Sequence, residues 1–404
     1  MDIYKIREDF PILKQTVYGH PLVYIDNAAT TQKPRCVIDL MSKFQLESYS
    51  SIHRGVHYLS ERATESYEDA RKTVQNFINA DFSQEVIFTS GTTGSINAVA
   101  FSFGERYVKK GDEILITAME HHANIVPWQM MCERKQAKLK VVPFDNDGVL
   151  QMNEFEKLLT KKVKLVAVAH VSNSLGTINP IKQIIEKAHL LNIPVLIDGA
   201  QSIQHQNIDV QALDCDFFVF SGHKIYGPTG IGILYGKEKW LNELPPYQGG
   251  GEMVNCVTFE NTTYNELPFK FEAGTTNFVA AIGMAESIKY INNLGIETLN
   301  AWENELLNYA KLKLGEIEGL RIYGNAPEKG PIISFLLDKI HYYDAGMILD
   351  KLGIAVRTGA LCAHPVMDIF EVEGTIRASF AFYNTKEEID ALIQGLFKVK
   401  EMFK

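Results

Sequence analysis

Val163-Lys164-Leu165-Val166-Ala167-Val168-Ala169-His170 is the stretch on which the reading of the fold turns. Its apolar residues are continuous apart from one lysine and do not alternate with polar ones. A strand with one wet face alternates, whereas a strand covered by helices on both faces has no need to. The run therefore predicts a central strand of a mostly parallel sheet. Similar runs flank it: residues 85–89, 113–117 and 138–144 before, residues 194–197, 216–220 and 231–235 after. With the central run they predict a seven-stranded sheet. Amphipathic stretches such as 181–192 fall between strands, giving repeated βα units and an α/β fold.

Farther out the pattern changes. Residues 281–293 and 299–317 read as helices, followed by short strands near 332–336, 354–357 and 375–381 and a last helix over 386–403. This predicts a smaller C-terminal α+β domain over residues 276–404. A large ligand-binding domain is expected over 21–275, with a leading segment, 1–20, packed on the small domain.

The formal net charge is −9 with the two signs interspersed, and no basic run marks a surface for nucleic acid or an anionic membrane. Met1-Asp2-Ile3-Tyr4-Lys5 lacks the apolar core of a signal peptide, and no stretch has the ~18 apolar residues of a membrane span. The expectation is a cytoplasmic protein. The cysteines, Cys36, Cys132, Cys215, Cys256 and Cys362, are odd in number and form no CxxC pair. Neither a disulfide framework nor a metal site is expected.

In parallel α/β sheets ligands gather at the carboxyl ends of the strands, so the residues after each strand carry the chemistry. Ser90-Gly91-Thr92-Thr93-Gly94-Ser95 opens a helix after the first strand. It reads as a phosphate cradle or as a capped helix after a tight turn. Glu120-His121-His122-Ala123-Asn124 follows the second strand, where His121 suits stacking on an aromatic cofactor, proton transfer or a capping role. His170-Val171-Ser172-Asn173 follows the central strand. Asp198-Gly199-Ala200-Gln201 puts an acid at a buried strand end, where it needs a protonated ring nitrogen or an arginine. Ser221-Gly222-His223-Lys224 places a lysine suited to a Schiff base, if it is not an ordinary surface lysine. Together a phosphate cradle, a ring-nitrogen acid, a stacking histidine and an imine-forming lysine compose a site for pyridoxal 5'-phosphate (PLP).

A late loop, Arg357-Thr358-Gly359-Ala360-Leu361-Cys362-Ala363-His364-Pro365, carries a thiol beside basic residues, readable as a nucleophile or a structural cysteine. Arg377, inside an apolar strand, needs a carboxylate: a substrate's or an internal one.

With these motifs in place the chain resembles the SufS-type (group II) cysteine desulfurases, within the class V aminotransferase group of fold-type I PLP enzymes. The resemblance runs nearly end to end. It is carried by Ile52-His53-Arg54-Gly55-Val56-His57, by Glu120 through Trp128, by Asp198-Gly199-Ala200-Gln201 and by Ser221-Gly222-His223-Lys224. Phe271-Glu272-Ala273-Gly274-Thr275, the Cys362 loop and Arg377-Ala378-Ser379 complete it. It implies that Lys224 bonds the cofactor and moves protons at the substrate's Cα, that Asp198 meets the pyridine nitrogen and Gln201 the ring hydroxyl, and that His121 stacks on the ring. Thr92, Thr93, Ser221 and His223 would hold the phosphate, and Thr275 would reach the phosphate of the other subunit of a homodimer. Arg377, with Asn173 and Arg357, would bind the substrate carboxylate. His53 and Ala28 would line the same pocket, and Gly249-Gly250-Gly251 would shape its dimer-side wall. L-cysteine would become L-alanine, its sulfur held as a persulfide on Cys362, then passed to an acceptor protein for iron–sulfur cluster assembly.

Two departures stand out. Many relatives carry two histidines just before the cysteine, where this chain has Ala360 and Leu361. Tyr343 stands where relatives that use a zinc-containing U-type acceptor carry histidine, which favours a SufE-like acceptor. A selenocysteine lyase or cysteine sulfinate desulfinase on the same scaffold is the alternative activity. A non-catalytic PLP-fold scaffold is disfavoured, because Lys224, Asp198, His121, Cys362 and Arg377 are all intact.

Overall fold

A computed structural model describes residues 2–404. Every residue of Val163–Ala169 except Lys164 is buried, so both faces of this strand are covered. The strand sits inside a seven-stranded sheet. It pairs in parallel with Glu113–Thr117 on one side and Val195–Asp198 on the other. Lys138–Val142 and Phe217–Ser221 extend the parallel run outward. Gly232–Gly236 is then antiparallel to Phe217–Ser221 and to the edge strand Val86–Thr89. The single reversed strand leaves Val86–Thr89 pointing the same way as Phe217–Ser221, so both open toward one edge.

Successive residues of each strand feed two different cores, as the pleat requires. Leu165 and Ala167 pack with Ile96, Val99 and Trp128 from Thr92–Tyr107 and Val126–Lys135. Val166 and Val168 face the opposite layer with Ile184 and Ile185 of Ile181–His189.

The smaller unit is a four-stranded antiparallel sheet in the order Leu320–Tyr323, Ile332–Leu337, Thr375–Ser379, Arg357–Gly359. It shares an apolar core with Ile296–Gly315, Tyr342–Lys351 and Lys386–Met402. The last helix starts where Thr385 and Glu388 cap each other's backbone N–H groups. The chain's beginning reaches this unit. Val23–Tyr24 pairs in parallel with Ile354–Ala355, and Asp26 bridges Ser379. Arg7 forms an ion pair with Glu388 at 3.0 Å and donates to the Tyr383 carbonyl.

The helix Phe278–Leu294 does not follow the division at residue 275. Its buried face joins the core of the large sheet, and it packs on Arg35–Glu47 and Tyr58–Phe77. The approach is close: a Cβ on Gly283 would meet Met41 Sδ at 2.5 Å. The next helix, Ile296–Gly315, buries Leu306, Leu307, Ala310 and Leu314 in the core of the small sheet. Among the described residues no helix is long and apolar enough to cross a membrane.

Candidate active site

A cavity of about 290 Å³ opens at the carboxyl ends of the large sheet. The strands converge on it as their order dictates. Asp198 ends one strand, Ser221 ends its neighbour, and Lys224 follows in the short 3-10 turn Gly222–Lys224. Thr92, Thr93, His121, Asn173, Asp198, Gln201, Ser221, His223, Lys224, Ala28, Arg357, Cys362 and Arg377 all line it.

The Gly91 turn stands one strand away from Ser221, across Gly232. The Thr92 N–H donates to Ser221 Oγ at 2.8 Å, and the two hydroxyls lie 2.7 Å apart. A Cβ at Gly232 would come within 2.4 Å of Gly91 Cα, so only glycine permits this approach. The result is a concave set of hydroxyl and N–H groups at the start of a helix, which suits a phosphate.

Asp198 is buried, and one oxygen accepts the Ala200 N–H at 2.9 Å. Burial raises its pKa, while that hydrogen bond and Lys224 pull it back. Lys224 is lowered to about 8, chiefly by burial, with Asp198 opposing and Arg377 adding to the shift. Burial, then Lys224, takes His121 down to about 4, so its imidazole is neutral near pH 7. His121 Nδ1 accepts the Ala123 N–H at 3.0 Å, which fixes the ring's orientation. Gln201 donates to the Ala28 carbonyl at 2.7 Å and leaves its buried Oε1 without a partner. That acceptor, the Asp198 carboxylate, the Thr92–Ser221 concavity and the amine of Lys224 match the hydroxyl, ring nitrogen, phosphate and aldehyde of PLP. The residues present fit the cofactor.

At the other end Arg377 is almost wholly buried. It donates to the Asn173 carbonyl at 3.0 Å and to Asp26 at 3.1 Å, and its Nε has no partner. Arg357, exposed at the rim, donates to the other oxygen of Asp26 at 2.8 Å. Asp26 is the internal carboxylate partner that Arg377 needs. Burial lowers the Arg377 pKa against the pull of Asp26. Cys362 is exposed at the mouth of the cavity. Leu361 and Cys362 both have left-handed backbones, with φ of 57° and 55°. Such a conformation costs a non-glycine residue about 1–2 kcal/mol.

His53 departs from expectation, because it does not line this cavity. Its ring packs edge-on against Tyr67 and Phe269. With Thr275 and Gly251 it lines a separate cavity, also of about 290 Å³. The turn at His53 (φ 68°) directs it there.

Sequence reasoning missed several supports. Asp26 is one. Glu120 is another: it is fully buried and accepts from Thr117, Asn124 and the Ala169 N–H, fastening the His121 turn to the central strand. Burial pushes Glu120 up to about 7 against those three bonds. The His223 carbonyl is a third. It accepts from the Thr31 N–H, the Thr30 and Thr31 hydroxyls and Lys33, which anchors the Lys224 turn. The run Asp26-Asn27-Ala28-Ala29-Thr30-Thr31, dense in small and polar residues, was the available signal.

The fold and site are those of a class V aminotransferase-like enzyme. The family model described as "Aminotransferase class-V" matches residues 23–392, and the chain belongs to that family. A probable cysteine desulfurase of Mycolicibacterium paratuberculosis is 52% identical over 99% of this chain, which spans 58% of that relative's length. A cysteine desulfurase of an Enterobacter species is 48% identical over 98% of both chains. The crystal structure of the cysteine desulfurase CsdA from Escherichia coli superposes with a TM-score of 0.93 at 35% identity, covering 100% of this chain and 99% of that one.

Proposed function

We propose that the chain is a PLP-dependent cysteine desulfurase that converts L-cysteine to L-alanine and holds the sulfur as a persulfide on Cys362. One observation carries this: a single cavity gathers Lys224, Asp198 and Arg377 and sets Cys362 at its mouth. The relatives named above support it.

Thr92, Thr93, Ser221 and His223 would hold the cofactor's phosphate, Asp198 its ring nitrogen, Gln201 its hydroxyl, and His121 would lie against the ring. Bound through Lys224, PLP supplies an electron sink for the substrate's Cα. Everything else falls to the chain. Arg377, with Arg357 and Asn173, binds the substrate carboxylate and so orients the amino acid. Lys224 Nζ takes the Cα proton and returns it; burial lowers its pKa to about 8, so more of it stands as the free amine near neutral pH. Cys362 Sγ, as thiolate, forms an S–S bond to the substrate sulfur while the substrate's Cβ–S bond breaks. The electron pair left on carbon takes up a proton and alanine departs. Mass spectrometry after incubation with L-cysteine should find one added sulfur on Cys362. Alanine formed with no sulfur on that residue would overturn the mechanism. In Cys362→Ala we expect sulfide release from cysteine to be lost, while turnover of selenocysteine, which depends less on the thiol, largely persists.

We propose a homodimer as the working unit. Thr275 and His53 lie outside the chain's own cavity, beside Gly251, where a second copy can use them. Exposed Val56, Tyr58 and Phe259 supply apolar area for such contact. Sedimentation should give a mass twice that of the chain. The sulfur would pass by thiol exchange to a SufE-like acceptor in the cytoplasm and on to iron–sulfur assembly. Exposed Tyr343, at the start of Tyr342–Lys351, supports that acceptor class. Stimulation by a zinc-containing U-type protein alone would refute it.

A further inference from the structure

The turn that carries Cys362 is held by four contacts, and three of them reach His122. The Asn173 side-chain N–H donates to the Leu361 carbonyl at 2.7 Å. The His122 backbone N–H donates to the Cys362 carbonyl at 2.9 Å. On the far side of the thiol, the His364 backbone N–H donates to His122 Nε2 at 3.3 Å, and His364 Nδ1 lies 3.0 Å from the same nitrogen. The two imidazole planes are nearly parallel, 8° apart. His122 does not line the cavity, although His121 beside it does. Neither ring has a part in the chemistry described above.

The geometry points to His122 and His364 as positioning residues for Cys362: the paired imidazoles clasp the turn from behind and fix its thiol at the mouth of the cavity. This rests on the desulfurase reading and deepens it. The backbone explains the need. Leu361 and Cys362 are consecutive left-handed residues without glycine's freedom, and such a turn relaxes unless its surroundings hold it. Asn173 holds the carbonyl just before Cys362, and His122 grips the chain after it, by a backbone donor to the Cys362 carbonyl and a ring acceptor for His364. Both ring contacts require His122 Nε2 to be a bare acceptor, so its proton sits on Nδ1, and His364 donates from its own Nδ1. Burial, then His364, lowers the His122 pKa, which favours that neutral form. His364 is exposed, so removing its ring leaves the core intact.

The test uses the holoenzyme as wild type, His364→Ala, His364→Asn, His122→Ala and the double alanine variant. Two quantities are read: kcat and KM for alanine formation from L-cysteine, and the rate at which iodoacetamide alkylates Cys362, followed on the Cys362 peptide by mass spectrometry. His364→Ala should lower kcat roughly threefold to tenfold, the worth of one net hydrogen bond, and leave KM, set by Arg377, unchanged. Alkylation of the released thiol should change by a similar factor. Asparagine at 364, whose amide still donates to His122, should recover most of the loss. The double variant should be no worse than the worse single one. An unchanged kcat, a change carried in KM, or losses that multiply in the double variant overturns the clasp. If wild type places no sulfur on Cys362, the desulfurase reading fails instead, and the alkylation rates still report whether the clasp holds the turn.

Discussion

Asp26 is shared by Arg357 and Arg377, whose guanidinium groups donate to different oxygens of one carboxylate. Asp26→Asn removes the carboxylate charge that both accept and leaves Arg377 buried beside a neutral amide. Breaking such a pair is costly, though less so here because Arg357 is exposed. We expect a loss of about 2 kcal/mol, read from urea midpoints. Lys224 gives a prediction of opposite character. In the folded chain it releases its proton near pH 8, in the unfolded chain near its ordinary 10.5. Between those values the unfolded state holds the extra proton, so this lysine makes stability rise with pH across that window and adds no slope below it. The stability of the PLP-free wild type minus that of Lys224→Met, followed by urea unfolding from pH 7 to 10.5, should rise through the window. A flat difference would refute the shifted lysine. Lys224, Asp198, His121 and Cys362 were legible in the sequence because each sits in a short motif beside its own strand. Asp26 was not, because its partner Arg357 is 331 positions away and only the folded sheet joins them.

At the scale of elements, the parallel core was legible from unbroken apolar runs, but the direction of Gly232–Gly236 was not. Gly-Ile-Leu-Tyr-Gly reads the same whether its neighbours run with it or against it. Helix starts were softer still. The helix that Ser90–Ser95 was expected to open begins at Thr92, because Gly91 with φ 145° takes the capping position that other residues avoid. The reversed strand brings Gly91 and Ser221 to the same edge with Gly232 between them. Gly232→Ala would press a methyl group on Gly91 Cα and, at 2.7 Å, on the Phe220 carbonyl. We expect a stability cost of about 1–3 kcal/mol. The dissociation constant for PLP, titrated by absorbance, should rise because the concavity for phosphate is forced open.

At the scale of the whole molecule, a buried ion pair fastens the long helix Tyr58–Phe77 to the segment that ends in Thr275. Arg71 meets Glu272 at 2.7 Å, and Glu272 also accepts from Tyr67 and the Phe88 N–H. Arg71→Met strands that carboxylate. We expect about 3–5 kcal/mol of destabilisation in chemical denaturation, accompanied by a weaker dimer in sedimentation if the Thr275 segment is an interface. The helix Phe278–Leu294, which lies beyond the division expected at residue 275, packs on the large sheet's core, and its sequence shows no marker of which sheet it will cover. The chain's opening segment bears on how the protein is made. Ala28 walls the cavity, yet its N–H rests on the Ser379 hydroxyl, 351 positions downstream. A ribosome therefore finishes Lys224 long before the wall that encloses it has anything to lean on. The catalytic chamber closes only once residue 379 has emerged, so its assembly waits on the small sheet, and a chain cut short of Ser379 leaves the lysine without that wall's support.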